Sequence, residues 1–188
     1  MSAPPTRILV TGDRGAGKTL FCRAVVDVAR ALPGPPDVSG IVSPRVHEGG
    51  VQVGIEAEDL RTGCRRLLAR IRRPGEAPLS EDTKLWRFDL GALTWGNEVL
   101  AEAVPCDLLV VDELGPLELE QGRGWLAGLA AVDSSDFTAA LVVVRPHLLP
   151  AARRRWADAE MVEVAGADWA GETARHWAHR LLEAPGVR

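Results

Sequence analysis

Long apolar runs are missing from this chain of 188 residues. No stretch approaches the roughly 20 consecutive apolar residues that a membrane-spanning helix needs. The N-terminus also lacks the basic, apolar and small-residue regions of a signal peptide. We therefore expect a cytoplasmic protein with no membrane partner.

Cysteine is scarce, and basic residues are not in excess. Cys22, Cys64 and Cys106 lie far apart and form no C-x-x-C pair, so neither a zinc site nor a disulfide framework is indicated. Small apolar residues in a reducing compartment are the simpler interpretation. The formal net charge is −4, so electrostatics give no reason to expect nucleic acid as a partner.

Lysine is much rarer than arginine, the other strongly basic residue. The chain has 20 arginines but only two lysines, Lys18 and Lys84. We interpret this skew as coding bias. It makes Lys18 notable, because a compact ammonium and a planar guanidinium behave differently beside a phosphate.

What the chain does contain is a glycine-rich loop in a phosphate-binding context. Residues 12–19 read G-x-x-x-x-G-K-T, the Walker A pattern, after the β-forming run 7–11 and before the helical pattern 20–30. Glycines let backbone N–H groups surround an anion, and the helix N-terminus adds partial positive charge. The predicted nucleotide-binding residues are Gly12, Asp13, Arg14, Gly15, Ala16, Gly17, Lys18, Thr19 and Leu20.

Two side chains of this loop have specific roles in that interpretation. Lys18 can reach the β- and γ-phosphates, and the Thr19 hydroxyl can ligate Mg²⁺. We therefore expect the chain to bind ATP, GTP or another nucleoside triphosphate together with Mg²⁺.

A pair of carboxylates closes the apolar run that begins at Asp107, as in a Walker B strand. In phosphate-loop enzymes an aspartate at such a strand end holds the hydration shell of Mg²⁺, opposite the loop hydroxyl. A glutamate directly after it can orient the water that attacks the γ-phosphorus. We predict Thr19 and Asp112 as metal ligands, and Glu113 as the catalytic base beside Lys18.

Arginines are the usual means of stabilising the charge that develops as the β–γ bond breaks. Arg145 is the preferred candidate, because it follows the apolar strand 139–144 and would reach the same edge as Asp112. Arg45 and Arg14 are further candidates. For each of them, a solvated or ion-paired surface arginine is the alternative.

The order of the remaining patterns predicts an α/β fold. Apolar strands at 38–43, 107–113, 139–144 and 161–164 alternate with helical patterns at 93–104, 124–132, 148–156 and 172–184. Residues 46–57 predict a β-hairpin that turns at Glu-Gly-Gly, and residues 59–70 predict a second turn between strands. We expect one domain over residues 1–188, with an antiparallel excursion over about 38–73.

In order and spacing, the motifs of this chain resemble those of a small nucleoside-triphosphatase family, known from thermophiles and as the cancer-related nucleoside-triphosphatase. The motifs are Gly12-x-x-Gly15-x-Gly17-Lys18-Thr19, Ser39-Gly40-Ile41, Val46-His47-Glu48-Gly49-Gly50-x-x-x-Gly54, Asp59-Leu60-x-x-Gly63 and Asp112-Glu113-Leu114-Gly115-x-Leu117-Glu118-Leu119. The resemblance implies a RecA-like sheet and slow, Mg²⁺-dependent hydrolysis of several triphosphates to the diphosphate and phosphate.

Two positions depart from the pattern that the resemblance implies. Pro116 stands where the family usually has lysine, and His47 stands where it usually has arginine. Each replacement removes a cation from near the nucleotide, which is consistent with a divergent subfamily.

The predicted function is hydrolysis of the γ-phosphate of ATP or GTP. Two alternatives stay open. In a nucleoside or nucleotide kinase, the excursion from Gly40 to Gly63 would bind a phosphate acceptor. In a nucleotide-switched accessory ATPase, slow hydrolysis would be stimulated by a protein partner that the sequence does not identify.

Overall fold

The computed structural model describes residues 4–79 and 82–182. Within these ranges the chain forms nine strands and six α-helices. The strands are β1 (Thr6–Thr11), β2 (Val38–Val42), β3 (Arg45–Glu48), β4 (Val51–Asp59), β5 (Arg65–Ile71), β6 (Trp86–Phe88), β7 (Cys106–Leu114), β8 (Phe137–Val144) and β9 (Glu160–Glu163). The helices are α1 (Lys18–Arg30), α2 (Leu90–Ala101), α3 (Pro116–Leu119), α4 (Leu126–Ser134), α5 (Leu149–Arg155) and α6 (Ala167–Leu182).

All nine strands join one sheet in the order β6-β5-β4-β2-β7-β8-β1-β9, with β3 paired to β4. Strands β2, β7, β8, β1 and β9 are parallel to one another. Strands β3 to β6 are attached through antiparallel pairs. The predicted α/β fold, with a parallel sheet and an antiparallel excursion after the first βα unit, is confirmed.

The antiparallel part differs in extent from the expected residues 38–73. β2 pairs in parallel with β7, so it belongs to the parallel sheet as well as contacting β4. At the other end, β6 continues the antiparallel pairing to Phe88. The turn of the predicted hairpin is where Glu-Gly-Gly placed it, because Glu48 pairs with Val51.

Helices cover both faces of the sheet. α1 and α6 pack together on one face, and α2 and α4 pack together on the other. In β1, Ile8 and Val10 face the first layer while Leu9 faces the second. This alternation produces the continuous apolar runs seen in the sequence, since both sides of the strand are buried. None of the helices in the described ranges is long and apolar enough to cross a membrane.

Helix ends deviate most from the predictions. α2 begins at Leu90 because the Asp89 carboxylate accepts a hydrogen bond of 2.8 Å from the Ala92 N–H and caps the helix. The single-turn α3 was not predicted, and α4 begins two residues later than expected. α6 begins at Ala167 rather than 172, and the last two residues of the predicted helix lie outside the described residues.

Candidate active site

The carboxyl ends of three parallel strands bring the predicted site residues to one edge of the sheet. β1 leads into the loop Gly12–Gly17, β7 ends just after Glu113, and β8 ends just before Arg145. Because β8 lies between β1 and β7, the loop and the carboxylates flank it from either side. Open α/β sheets bind ligands at this kind of edge.

The phosphate loop lies against the chain that follows β9. Gly12 has a φ of +139°, and a Cβ on this residue would lie 2.5 Å from the carbonyl oxygen of Val164. The Val164 N–H also donates a 2.8 Å hydrogen bond to the Thr11 carbonyl. Only glycine fits this conformation at this distance, so the first residue of the motif holds the loop against Val164, directly after β9.

Lys18 is held by the loop itself. Its Nζ donates hydrogen bonds to the carbonyl oxygens of Gly12, at 2.7 Å, and Asp13, at 2.9 Å. Burial lowers the pKa of the Lys18 ammonium, and the carboxylates of Glu113 and Asp112 oppose that shift. The amine therefore lies inside the loop and within electrostatic reach of both carboxylates.

Asp112 is 2% exposed and is tied to two other segments. Its Oδ2 accepts a 3.0 Å hydrogen bond from the Ser43 N–H, and the Ser43 hydroxyl donates to the Asp112 carbonyl oxygen. The carboxylate is also hydrogen-bonded to the Thr19 side chain. Burial raises the pKa of Asp112 to about 6, against the opposing effect of the Ser43 and Thr19 hydrogen bonds. The two predicted metal ligands thus lie next to each other.

This pair of oxygen donors suits a hard divalent cation. Mg²⁺ binds carboxylate and hydroxyl oxygens and usually keeps several ligands from phosphate and water. In the described part of the chain, no group of three or more histidine, cysteine, aspartate or glutamate side chains could hold a metal. A cation beside Thr19 and Asp112 would take its other ligands from a bound phosphate and from water.

Glu113 and Arg145 are brought together in an ion pair. The Arg145 Nε donates to Glu113 Oε1, and the two side chains are 51% and 29% exposed. Arg145 thus reaches the edge that the sequence predicted for it, and there it contacts the carboxylate of the predicted base. Arg145 therefore lies at the predicted edge of the sheet and is also ion-paired, so its position fits both of the interpretations given for it above.

The other arginine candidates occupy different positions. Arg14 is exposed in the loop. Arg45, in β3, is exposed, and its Nη1 lies 3.8 Å from the point where a Cβ of Gly15 would be. His47, the replacement noted above, is exposed on the same strand.

Glu118 and Ser43 have site contacts that were not predicted from the sequence. Glu118 is buried, and it accepts hydrogen bonds from the N–H groups of Gly115, at 2.8 Å, and Trp125, at 2.9 Å. It therefore fixes the segment that follows Glu113. The three-residue spacing from Gly115 to Glu118 at the start of α3 is that of a helix cap, which was an available signal. Ser43 gave no such signal, because its contact with Asp112 depends on the pairing of β2 with β7.

Fold and site together define a phosphate-loop nucleotide-binding protein. The family described as NTPase matches residues 7–163. This chain belongs to the NTPase family.

The curated relatives include several named nucleoside-triphosphatase THEP1. The protein from Thermofilum pendens is 35% identical over 127 residues, which is 67% of this chain and 67% of the relative. The proteins from Methanopyrus kandleri and Pyrobaculum aerophilum are 34% and 33% identical, over 62% and 61% of this chain. The matched region spans only 61% and 60% of the length of those two relatives.

Two solved structures resemble the fold. The solution structure of a human cancer-related nucleoside triphosphatase has a TM-score of 0.65 and 21% identity, and 96% of each chain is covered. The crystal structure of THEP1 from Aquifex aeolicus has a TM-score of 0.66 and 13% identity, covering 94% of this chain and 99% of that one. These likenesses confirm the predicted phosphate-loop fold.

Proposed function

We propose that this protein hydrolyses the γ-phosphate of ATP, GTP or another nucleoside triphosphate, with Mg²⁺ as cofactor. The observation that carries the proposal is the position of Glu113, beside Asp112 and within electrostatic reach of the Lys18 amine. Membership of the NTPase family supports it. So do the relatives named nucleoside-triphosphatase.

The phosphate loop and α1 would bind the nucleotide. The backbone N–H groups of Gly12–Thr19 and the Lys18 ammonium would bind the β- and γ-phosphates. Thr19 and Asp112 would hold Mg²⁺, which when bound would neutralise charge on the phosphate oxygens. The Thr19 side chain lies next to the Asp112 carboxylate, so the two oxygen donors are close together.

Glu113 would activate the water molecule for hydrolysis. Its carboxylate would accept a proton from a water molecule as the water oxygen bonds to the γ-phosphorus and the bond to the bridging oxygen breaks. The ion pair with Arg145 orients that carboxylate. It would also put a guanidinium beside the γ-phosphate, where negative charge must be stabilised.

The test is phosphate release from Mg-ATP and Mg-GTP by wild type and Glu113→Gln, with nucleotide affinity measured for both. We expect turnover to fall by roughly 100-fold or more, because a positioned general base contributes about 10²–10⁴-fold. Affinity should stay unchanged. Glu120→Gln is the matched control, since Glu120 is exposed in the same segment and is outside the site.

If wild type binds both nucleotides and releases no phosphate, autonomous hydrolysis is wrong. Phosphate transfer to an added nucleoside or nucleotide would then favour the kinase alternative. Release that appears only with a second protein would favour the accessory ATPase.

A further inference from the structure

Arg45 brings a cation from the antiparallel part of the fold to the phosphate loop. It is the first residue of β3, and its Nη1 lies 3.8 Å from the Cβ position of Gly15, in the middle of the loop. Burial is the main cause that lowers the pKa of the Lys18 amine, and the charge of Arg45 has a smaller effect in the same direction. The guanidinium therefore lies beside the loop, close enough to the ammonium for their charges to interact.

Among the described residues, the Arg45 guanidinium has no anionic partner, and the same is true of Arg14 in the loop. Within residues 4–79 and 82–182, the Arg45 side chain makes neither a hydrogen bond nor an ion pair. Arg145 is paired with Glu113, and Arg23, in α1, is paired with Glu58. The positive charges of Arg45 and Lys18 repel each other, and a bound phosphate would attract both of them.

The backbone at the start of β3 is held in place from both sides. Ser43 is fixed by its two hydrogen bonds to Asp112, and the Pro44 carbonyl accepts a 2.9 Å hydrogen bond from the Glu56 N–H. Arg45 then pairs with Ile55 in the hairpin. A cation on an anchored backbone binds with less loss of conformational freedom than one on a loose loop.

We propose that Arg45 contacts the γ-phosphate of the bound nucleotide, so that the antiparallel excursion distinguishes a triphosphate from a diphosphate. The proposal rests on the proposed function for the identity of the ligand. It assigns to the excursion a role in recognising the phosphate chain rather than an acceptor substrate.

The test compares the affinity of a non-hydrolysable ATP analogue and of ADP for wild type, Arg45→Ala, Arg45→Lys and Arg154→Ala, all with Mg²⁺. For Arg45→Ala we expect roughly a 10- to 100-fold loss for the triphosphate, the usual range for a charge-assisted hydrogen bond. Affinity for ADP should be nearly unchanged. Arg45→Lys should keep part of the triphosphate affinity, because it retains the charge. Arg154, exposed on α5, is the control for removing a surface arginine.

Equal losses for both nucleotides, or no loss for either, would overturn the proposal, and so would a wild type that binds no triphosphate. Failure of the proposed function gives a different result. A wild type that binds the analogue but releases no phosphate from ATP contradicts hydrolysis, while the Arg45 comparison still decides phosphate contact. Thermal midpoints of the four proteins without ligand check that the variants are folded.

Discussion

Asp112 combines almost complete burial with a role that requires negative charge. A carboxylate removed from water is costly unless it is fully paired. Here one N–H and one hydroxyl bond it, and its pKa is still raised to about 6. In the absence of a cation, the ionised side chain should therefore reduce the stability of the fold.

Replacing Asp112 by asparagine keeps a side chain of similar shape in the buried position but removes its negative charge. The substitution therefore separates the cost of burying the charge from its role in binding a cation. The folded-state pKa lies above the ordinary 3.8, so the folded protein holds the proton more tightly and ionisation costs stability above about pH 6. We expect Asp112→Asn to raise the free energy of unfolding at pH 8 by about 1–3 kcal/mol, given about 1.4 kcal/mol per pKa unit. This gain in the free energy of unfolding should shrink as the pH falls towards 4. At that pH the aspartic acid of the folded wild type is protonated, so it is neutral like the asparagine of the variant.

Urea denaturation at pH 8 and pH 4, without divalent cations, measures this difference. Asp107→Asn is the control, on the same strand but at its opposite end. The variant should also lose the response of nucleotide affinity to Mg²⁺. A less stable variant at pH 8, or an unchanged Mg²⁺ response, would contradict the interpretation of Asp112.

Among the elements, the contact between β2 and β7 leaves no room for a side chain at Gly40. Gly40 has a φ of +101°, and a Cβ there would lie 2.0 Å from the Val110 carbonyl oxygen. This contact positions the end of β2, and with it Ser43, beside Asp112. A side chain at Gly40 must push the strands apart.

Gly40→Ala and Gly34→Ala form a matched pair that isolates this effect. Both glycines have positive φ, but nothing lies within 4 Å of a Cβ at Gly34. Alanine at Gly34 should cost about 1–2 kcal/mol for the left-handed backbone alone. Alanine at Gly40 should cost about 2–4 kcal/mol more, in the range of severe packing defects. Equal losses in urea denaturation would show that the β2–β7 contact relaxes freely.

Across the whole molecule, an ion-pair network around the buried Glu58 carboxylate joins the α1 layer to the antiparallel strands. Arg23 on α1 donates two hydrogen bonds, of 2.6 and 2.7 Å, to the Glu58 carboxylate, and Arg65 on β5 approaches the same carboxylate at 2.6 Å. Glu58 is 5% exposed. The network links the helix that begins in the phosphate loop to the excursion that carries Arg45.

Global stability should therefore depend on the ionisation of Glu58. The hydrogen bond with Arg23 is the main cause that lowers the pKa of Glu58 below its ordinary 4.5. A depressed folded pKa gives stability that is complete above about pH 4.5 and is lost as the pH falls through the folded value. At pH 7 we expect Glu58→Gln to cost about 1–3 kcal/mol, less than a fully buried pair because Arg23 is partly exposed.

The measurement is urea denaturation of Glu58→Gln and wild type at pH 7 and near pH 3. The cost should be smaller at the lower pH, because pH 3 lies below the ordinary pKa of 4.5 and part of the stability that the charge contributes is lost there. Glu56→Gln, two residues away and 3.9 Å from Arg65, should cost much less. If Glu58→Gln lowered the free energy of unfolding by the same amount at both pH values, the shape of the Glu58 side chain rather than its charge would stabilise the fold.

The sequence by itself determined the local elements and the side chains at their ends. Glycine spacing and the flanking periodicities located the loop before α1, and Glu-Gly-Gly located the turn between β3 and β4. Asp112, Glu113 and Arg145 were predicted at one sheet edge, because parallel strands share the direction of their carboxyl ends. The four-residue α3 was missed, since a single turn is too short to show helical periodicity.

The tertiary structure alone decided which of these side chains meet. The Ser43–Asp112 hydrogen bonds, the Glu113–Arg145 ion pair and the approach of Arg45 to Gly15 join residues far apart in the chain. Each depends on the strand order, in which β8 separates β1 from β7 and β2 carries the excursion beside them. Strand order is set by the burial of all the apolar faces at once, and local sequence patterns do not encode that choice.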